Sequence, residues 1–147
     1  MKHLLLEPND DNILEAEKIR YNSYGKESPP NILDTFYSMN LKSRKLLLFA
    51  TILGDEIVAA CYVSRVGYSL FIDQLFVKKD YQNTGLKIGR KLLEYINNNK
   101  HIVEEQLSFK PLQTSKLIYT SEKSHALYLK IGYKDENKTL SSMIKHI

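Results

Sequence analysis

Three apolar runs follow one another in the middle of the chain with almost nothing between them: Lys45–Leu53, Glu56–Arg65 and Ser69–Val77. Gly54-Asp55 separates the first two and is a hairpin signal; the turn Val66-Gly67-Tyr68 leads into the third. That third run is apolar on both parities, with Leu70, Ile72 and Phe76 on one face and Phe71, Leu75 and Val77 on the other. A strand covered on both sides reads this way, so the run from Ser69 to Val77 is expected at the centre of a sheet. Asp73 and Gln74 interrupt it and are expected on opposite faces.

The flanking sequence supplies the covering layers. Lys2–Glu7 reads as a short strand stopped by Pro8, and Asn12 with Glu15 suggests a capping box opening a helix whose Ile13, Ala16 and Ile19 face inward. A second helix is expected with Ile32, Phe36 and Met39 at i, i+4 and i+7. Downstream, Ile88, Leu92, Leu93 and Ile96 define an amphipathic helix ended by Asn97-Asn98-Asn99. Residues 101–111 carry no clear period. A strand over Lys116–Thr120, a helix from Glu122 to about Ile131 stopped by Gly132, and a last strand over Thr139–His146 complete the order β-α-α-β-β-β-α-β-α-β. This is an α/β (α+β) pattern, a mixed sheet with helices on both sides. At 147 residues it is expected to form one domain spanning 1–147.

Composition removes several function classes. The single cysteine, Cys61, allows no internal disulfide and points to a reducing, cytoplasmic setting. Its neighbours on the same parity, Ile57, Ala59 and Val63, mark it as a buried apolar residue and not a nucleophile. The four histidines (His3, His101, His125 and His146) are scattered and make no metal spacing with it, so no metal is expected. No stretch reaches the ~18 apolar residues of a membrane helix, and the apolar run in Met1–Pro8 is too short for a signal peptide. The net charge of +4 suits an anionic small ligand but falls short of a nucleic-acid-binding stripe, so neither nucleic acid nor membrane is an expected partner.

Chemistry concentrates where the central strand turns into the next helix, Lys78-Lys79-Asp80-Tyr81-Gln82-Asn83-Thr84-Gly85-Leu86-Lys87-Ile88-Gly89-Arg90. A helix N-terminus presents unpaired N–H groups and the positive end of its dipole, which suits a phosphate or pyrophosphate. Gly85 admits a close backbone approach, and Lys87, Arg90 and Lys91 add positive charge. Neither a Walker A loop nor a dinucleotide G-x-G-x-x-G is present.

The strand ending Leu75-Phe76-Val77, the turn, and Gln82-x-x-Gly85 opening a helix with paired leucines resemble motif A of the GNAT (Gcn5-related N-acetyltransferase) superfamily. Ser121-Glu122-Lys123-Ser124-His125-Ala126-Leu127-Tyr128-Leu129-Lys130-Ile131-Gly132-Tyr133 resembles its motif B, with Tyr128, Gly132 and Tyr133 matching in kind and spacing and Ser121 at the usual Asn position. The resemblance covers roughly residues 45–147, with 1–44 falling in the family's variable acceptor-side region. It implies a mostly antiparallel sheet, acetyl-CoA as co-substrate, and transfer of acetyl to a primary amine in a ternary complex. It further implies that Leu75 and Val77 pair with pantetheine, that the N–H of Leu75 or Phe76 faces the thioester oxygen, and that Gln82, Asn83, Thr84, Gly85, Leu86 and Lys87 hold the pyrophosphate. Tyr128 takes the place of the family tyrosine that protonates the departing thiolate.

Lys87 stands where the motif has Gly or Ala. Registering on the helix instead gives Ile88, Gly89, Leu92 and Leu93 their usual places but puts Thr84 and Lys87 at the Gln and first Gly positions; a two-residue insertion reconciles the two registers. The positions of the family's usual bases hold Phe71 and Lys116, leaving Asp73 as the nearest carboxylate to take the amine proton, while His125 is expected to be exposed. Tyr24 to Asn40 is expected to form part of the acceptor wall, with Tyr24, Glu27, Asp34 and Tyr37 available to a cation. Family habit adds a homodimer. The alternative to an N-acetyltransferase is a catalytically inactive acyl-CoA-binding or regulatory module of the same fold.

Overall fold

The computed structural model describes residues 1–147 as one seven-stranded sheet covered by helices on both faces. In chain order the elements are β1 (Lys2–Leu6), α1 (Asp10–Ser23), α2 (Phe36–Lys42), β2 (Leu47–Leu53), β3 (Glu56–Val66), β4 (Ser69–Val77), α3 (Ile88–Asn98), α4 (Lys100–Leu107), β5 (Thr114–Ile118), α5 (Glu122–Lys130), β6 (Lys134–Asn137) and β7 (Ser142–His146). The strands lie in the order β1-β2-β3-β4-β5-β7-β6, so β4 is central, and the only parallel neighbours are β4 and β5. No helix is long and apolar enough to cross a membrane.

Two cores form on the two faces. On one, α3 contributes Ile88, Leu92, Leu93 and Ile96 and α4 contributes Val103 against Phe49, Cys61, Leu70 and Leu117. Each fully buried aliphatic side chain of this kind is worth roughly 1.5–3 kcal/mol, which is what holds α3 to the sheet. On the other face, α1 and α2 pack Ile13, Ala16, Ile19 and Leu41 against Leu48, Ala60, Tyr62 and Phe76.

Several local expectations are corrected. Helix α1 starts earlier, capped by Asn9, whose side chain accepts from the Asn12 N–H at 2.9 Å; Asn12 lies inside the helix and reaches the Glu7 carbonyl instead. The second helix is split into a 3₁₀ turn over Ile32–Asp34 and α2, with Thr35 capping α2. The break rotates the second half, so Phe36 and Met39 are 73% and 59% exposed while Leu41 is buried. The segment without a period contains α4, where Val103 is the only fully buried residue. The last strand is a hairpin, β6 and β7; the β6 sequence Lys-Asp-Glu-Asn is polar throughout and becomes a strand only by pairing with β7. The observed order therefore has seven strands and five helices where six and four were expected.

The parity of β4 is also corrected. Tyr62 pairs with Gln74 but Val63 pairs with Ile72, so Asp73 is the extra residue of a β-bulge. The bulge reverses the alternation beyond it. Leu70, Ile72, Leu75 and Val77 all pack with the α3 core, and Phe76 packs with the α1 core.

Candidate active site

The bulge opens the sheet. β4 pairs with β5 only over Ser69–Ile72, while it stays paired with β3 as far as Val77, so its last residues lose their neighbour on the β5 side. A bulge bends its strand and increases local twist, which separates two parallel strands that begin side by side. The Lys78 N–H donates to the Val58 carbonyl on β3 at 2.8 Å. Strand alternation then turns the N–H and C=O of Leu75 and Val77 toward the open edge and those of Phe76 toward β3.

The gap is a cleft of about 680 Å³ between Leu75, Phe76 and Val77 on one wall and Ser121, Ser124, Leu127 and Tyr128 on the other, with Tyr24 at its side. A second cavity of about 450 Å³ shares Val77, Gln82, Gly89, Lys123 and Leu127 with it and wraps the turn before α3. The structure thus brings Leu75, Phe76, Val77, Gln82, Asn83, Thr84, Gly85, Lys87, Gly89, Ser121 and Tyr128 to one continuous depression. Leu86 lies in the same turn and is exposed, outside both linings.

That turn is built from backbone. Asn83, Gly85 and Lys87 have φ of 58°, 81° and 52°, three left-handed residues in alternation, an arrangement that turns successive N–H groups inward. None of the N–H groups from Asn83 through Arg90 has an intramolecular acceptor. Lys87 is the N-cap of α3 and offers no side-chain cap, leaving the dipole end open. Gln82 ties the turn to the strand, its Nε2 donating to the Val77 carbonyl at 2.8 Å. A Cβ on Gly89 would meet Val77 Cγ2 at 3.3 Å, so α3 lies against β4 at a spacing suited to glycine. The left-handed Lys87 and the tightly packed Gly89 stand at the two glycine positions of the helix-anchored register. Arg90 is paired with Glu94 at 2.7 Å, and Lys123 reaches across to Asn83 Oδ1 at 3.4 Å.

On the opposite wall Ser121 caps α5 in a reciprocal capping box with Ser124. Tyr128, about two turns further, packs edge-to-face on Tyr133 with centroids 6.0 Å apart. Its hydroxyl has no intramolecular partner. Burial, with smaller contributions from Cys61, Tyr133 and Tyr24, pushes the Tyr128 phenol up to about 12, so it keeps its proton through neutral pH.

Asp73 does not line the cleft. Its Oδ2 accepts from Ser64 Oγ at 2.6 Å, and burial raises its carboxyl above the ordinary aspartate range despite that bond. Cys61 is buried beneath the site, its thiol pushed well up by burial, and is no nucleophile. His125 is not a free exposed side chain: its Nε2 lies 2.7 Å from Asp135 Oδ1 and its ring stacks on Tyr119 at 4.3 Å.

On the α1 side, Tyr24 and Tyr37 converge on Gln74 and not on an open cation site. Glu27 lines a separate cavity of about 520 Å³ with Lys78 and Lys79, and Asp34 is exposed. The sequence reading missed Glu17. This carboxylate is fully buried, bridged to Arg20 through Nε and Nη2 at 2.5 and 3.0 Å, and accepts from Thr35 and Tyr62 at 2.5 and 2.8 Å. Only the i, i+3 spacing of Glu17 and Arg20 hints at it in the sequence, since both partners outside α1 are distant along the chain.

The family model for an acetyltransferase (GNAT) domain matches residues 44–135, more than half of the chain. Among solved structures, PaiA N-acetyltransferase from Thermoplasma acidophilum, in complex with coenzyme A, is similar at 16% identity over all of both chains, with a TM-score of 0.66. The ribosomal-protein-S18-alanine N-acetyltransferase from Escherichia coli is similar at 16% identity over 99% of this chain and 94% of its own, with a TM-score of 0.69. An aminoglycoside 6'-acetyltransferase type Ii matches at 15% identity over 99% and 97%, also at 0.69. At these identities the structural likeness speaks to the fold alone. No curated protein matches the sequence.

Proposed function

The chain belongs to the GNAT acetyltransferase family, whose members are acyltransferases using acetyl-CoA, and on that premise we propose that it transfers acetyl from acetyl-CoA to a primary amine by direct attack in a ternary complex. The observation that carries this reading is the Tyr128 hydroxyl, partnerless and protonated, across one cleft from the unpaired edge of β4.

The residues divide the work by chemistry. The free N–H groups from Asn83 to Arg90, with Lys87 nearby, meet the pyrophosphate at the positive end of α3. The Leu75 C=O and the Val77 N–H, unpaired at the edge, serve the amides of pantetheine, and the Leu75 N–H polarises the thioester carbonyl. The acceptor nitrogen forms the new C–N bond as the C–S bond breaks. The electron pair of that bond goes to sulfur, where Tyr128 supplies the proton. The proton that the attacking nitrogen loses passes through water, with Asp73 as the nearest carboxylate along β4 and its raised pKa in keeping with a base. The phenol recovers its proton from solvent, so amine and acetyl-CoA give amide and CoA thiol with nothing left over.

Residues 1–44 serve the acceptor side and 45–147 the cofactor core in this reading. The partners are acetyl-CoA and an amine, in a reducing, cytoplasmic setting suited to the single free thiol; nucleic acid and membrane play no part. A homodimer is compatible with this reading, and light scattering decides it. A second reading, an acyl-CoA-binding module without turnover, draws on Asp73 lying outside the cleft lining. CoA binding without thiol release from a panel of peptide, polyamine and aminoglycoside amines would favour it.

Tyr128→Phe tests the enzyme reading. Removing a general acid costs about 10²–10⁴ in rate. Thiol release on the best amine of the panel falls by at least ~10² while CoA affinity stays within about twofold. Wild-type rates in the variant refute the assignment.

A further inference from the structure

Tyr24 faces the same cleft as Tyr128 but is wired in the opposite sense. Its hydroxyl donates to Gln74 Oε1 at 2.9 Å, and the Gln74 amide is itself oriented, since Nε2 donates to the Tyr37 hydroxyl at 2.9 Å. Tyr37 has little freedom: the Arg20 guanidinium lies 4.6 Å from its ring centroid, and Tyr62 packs on it at 5.4 Å. Arg20 and Tyr62 are both held by the buried carboxylate of Glu17. A hydrogen-bond chain whose Tyr37 ring is backed by an ion pair sealed in the α1 core therefore ends on Tyr24.

A phenol has one hydrogen and two lone pairs. With its hydrogen spent on Gln74, Tyr24 can only accept from a group in the cleft, whereas Tyr128, with no partner, has a hydrogen to give. Gln74 also immediately precedes Leu75, whose N–H turns to the open edge of β4. Resting on the acetyl-transfer reading, we propose that Tyr24 receives an N–H of the acceptor amine and that Gln74 is the positioning residue that fixes Tyr24 as an acceptor. One N–H of the amine bonds to Tyr24 Oη, aiming the nitrogen lone pair at the thioester carbon. That N–H is kept throughout and becomes the amide N–H of the product. A neutral phenol suits this task better than a carboxylate, which would stabilise the ammonium form that cannot attack.

The test needs no knowledge of the natural acceptor. Calorimetry measures binding of CoA and of S-(N-propylcarbamoylmethyl)-CoA, whose amide N–H stands in for the acceptor nitrogen, to the wild type and to Tyr24→Phe, Gln74→Met and Gln74→Glu. Tyr24 is 54% exposed, so its variant folds. Tyr24→Phe and Gln74→Met each lose about fivefold on the conjugate, the worth of one neutral hydrogen bond, with CoA within about twofold. Gln74→Glu still accepts from Tyr24 and keeps the wild-type ratio of the two affinities. Equal losses on both ligands, or no loss in Tyr24→Phe, overturn the assignment to Tyr24 while leaving the transferase reading intact. Failure of the wild type to bind CoA overturns both.

Discussion

Replacing Tyr133 by Phe should separate the stability of this fold from its chemistry. Tyr133 is 1% exposed, and its hydroxyl accepts from Asn97 Nδ2 at 2.8 Å and lies 2.7 Å from Ser115 Oγ. Asn97 and Ser115 are buried too, and Asn97 Oδ1 already has no partner. Deleting one oxygen therefore leaves an amide and a hydroxyl unpaired out of reach of water. Each such group costs about 1–3 kcal/mol; since a serine hydroxyl can turn to another acceptor, the total should be about 2–4 kcal/mol. For a chain of this length that lowers Tm by about 5–12 °C in a circular-dichroism melt.

The same change should reshape the alkaline limb. Burial, working against the Asn97 and Ser115 bonds, pushes the Tyr133 phenol up to about 12. Below the ordinary value near 10 both folded and unfolded chains hold this proton, and its contribution is intact. Between about 10 and 12 the unfolded chain releases the proton first, so stability falls with rising pH, by up to roughly 2.7 kcal/mol. The Phe variant loses that part of the fall. Because the ring and its edge-to-face packing on Tyr128 remain, turnover relative to folded protein should be unchanged. A loss below about 0.5 kcal/mol, or an unaltered alkaline limb, would refute the idea that this buried network carries stability.

Two further changes probe the site. Asp73→Asn keeps an oxygen for Ser64 but removes the charge; kcat/KM should fall and its acidic limb flatten, and an unchanged pH profile would remove Asp73 from the mechanism. Gly89→Ala gains up to ~1 kcal/mol of helix propensity while pressing a methyl on Val77 in the cofactor cleft. The overpacked contact costs ~1–3 kcal/mol of stability against that gain, so the stability read from melts should fall by up to ~2 kcal/mol, and calorimetric CoA affinity should drop because the displaced Val77 side chain narrows the cleft.

The central strand, the helix after it and the two cofactor-side segments were legible because each is a local pattern: a two-faced apolar run, a 3.6-residue stripe, a tyrosine and glycine at fixed spacing. What escaped was set by pairing across the sheet. Nothing local marks Asp73 as a bulge, because the extra residue exists only relative to β3, and with it went the parity of Leu75 and Val77. The polar β6 is a strand only because β7 lies beside it. Exposed Phe36 and Met39 mimicked an inward stripe until Thr35 broke the helix. The same holds for the cleft: Gln82, Gly85 and Tyr128, singled out by local motif spacing, do line one depression, whereas Tyr24 and Gln74 meet across 50 residues.

The most direct test of the account is thermal unfolding with increasing acetyl-CoA and, separately, free CoA. A ligand at ~100 times its Kd adds about 2.7 kcal/mol, several degrees for this chain. The cradle of free N–H groups before α3 and the open edge of β4 predict a saturable rise in Tm with both ligands, since both carry the pyrophosphate and pantetheine. A melting temperature that does not move at millimolar concentrations of either would contradict the cofactor site, and with it the acetyltransferase reading.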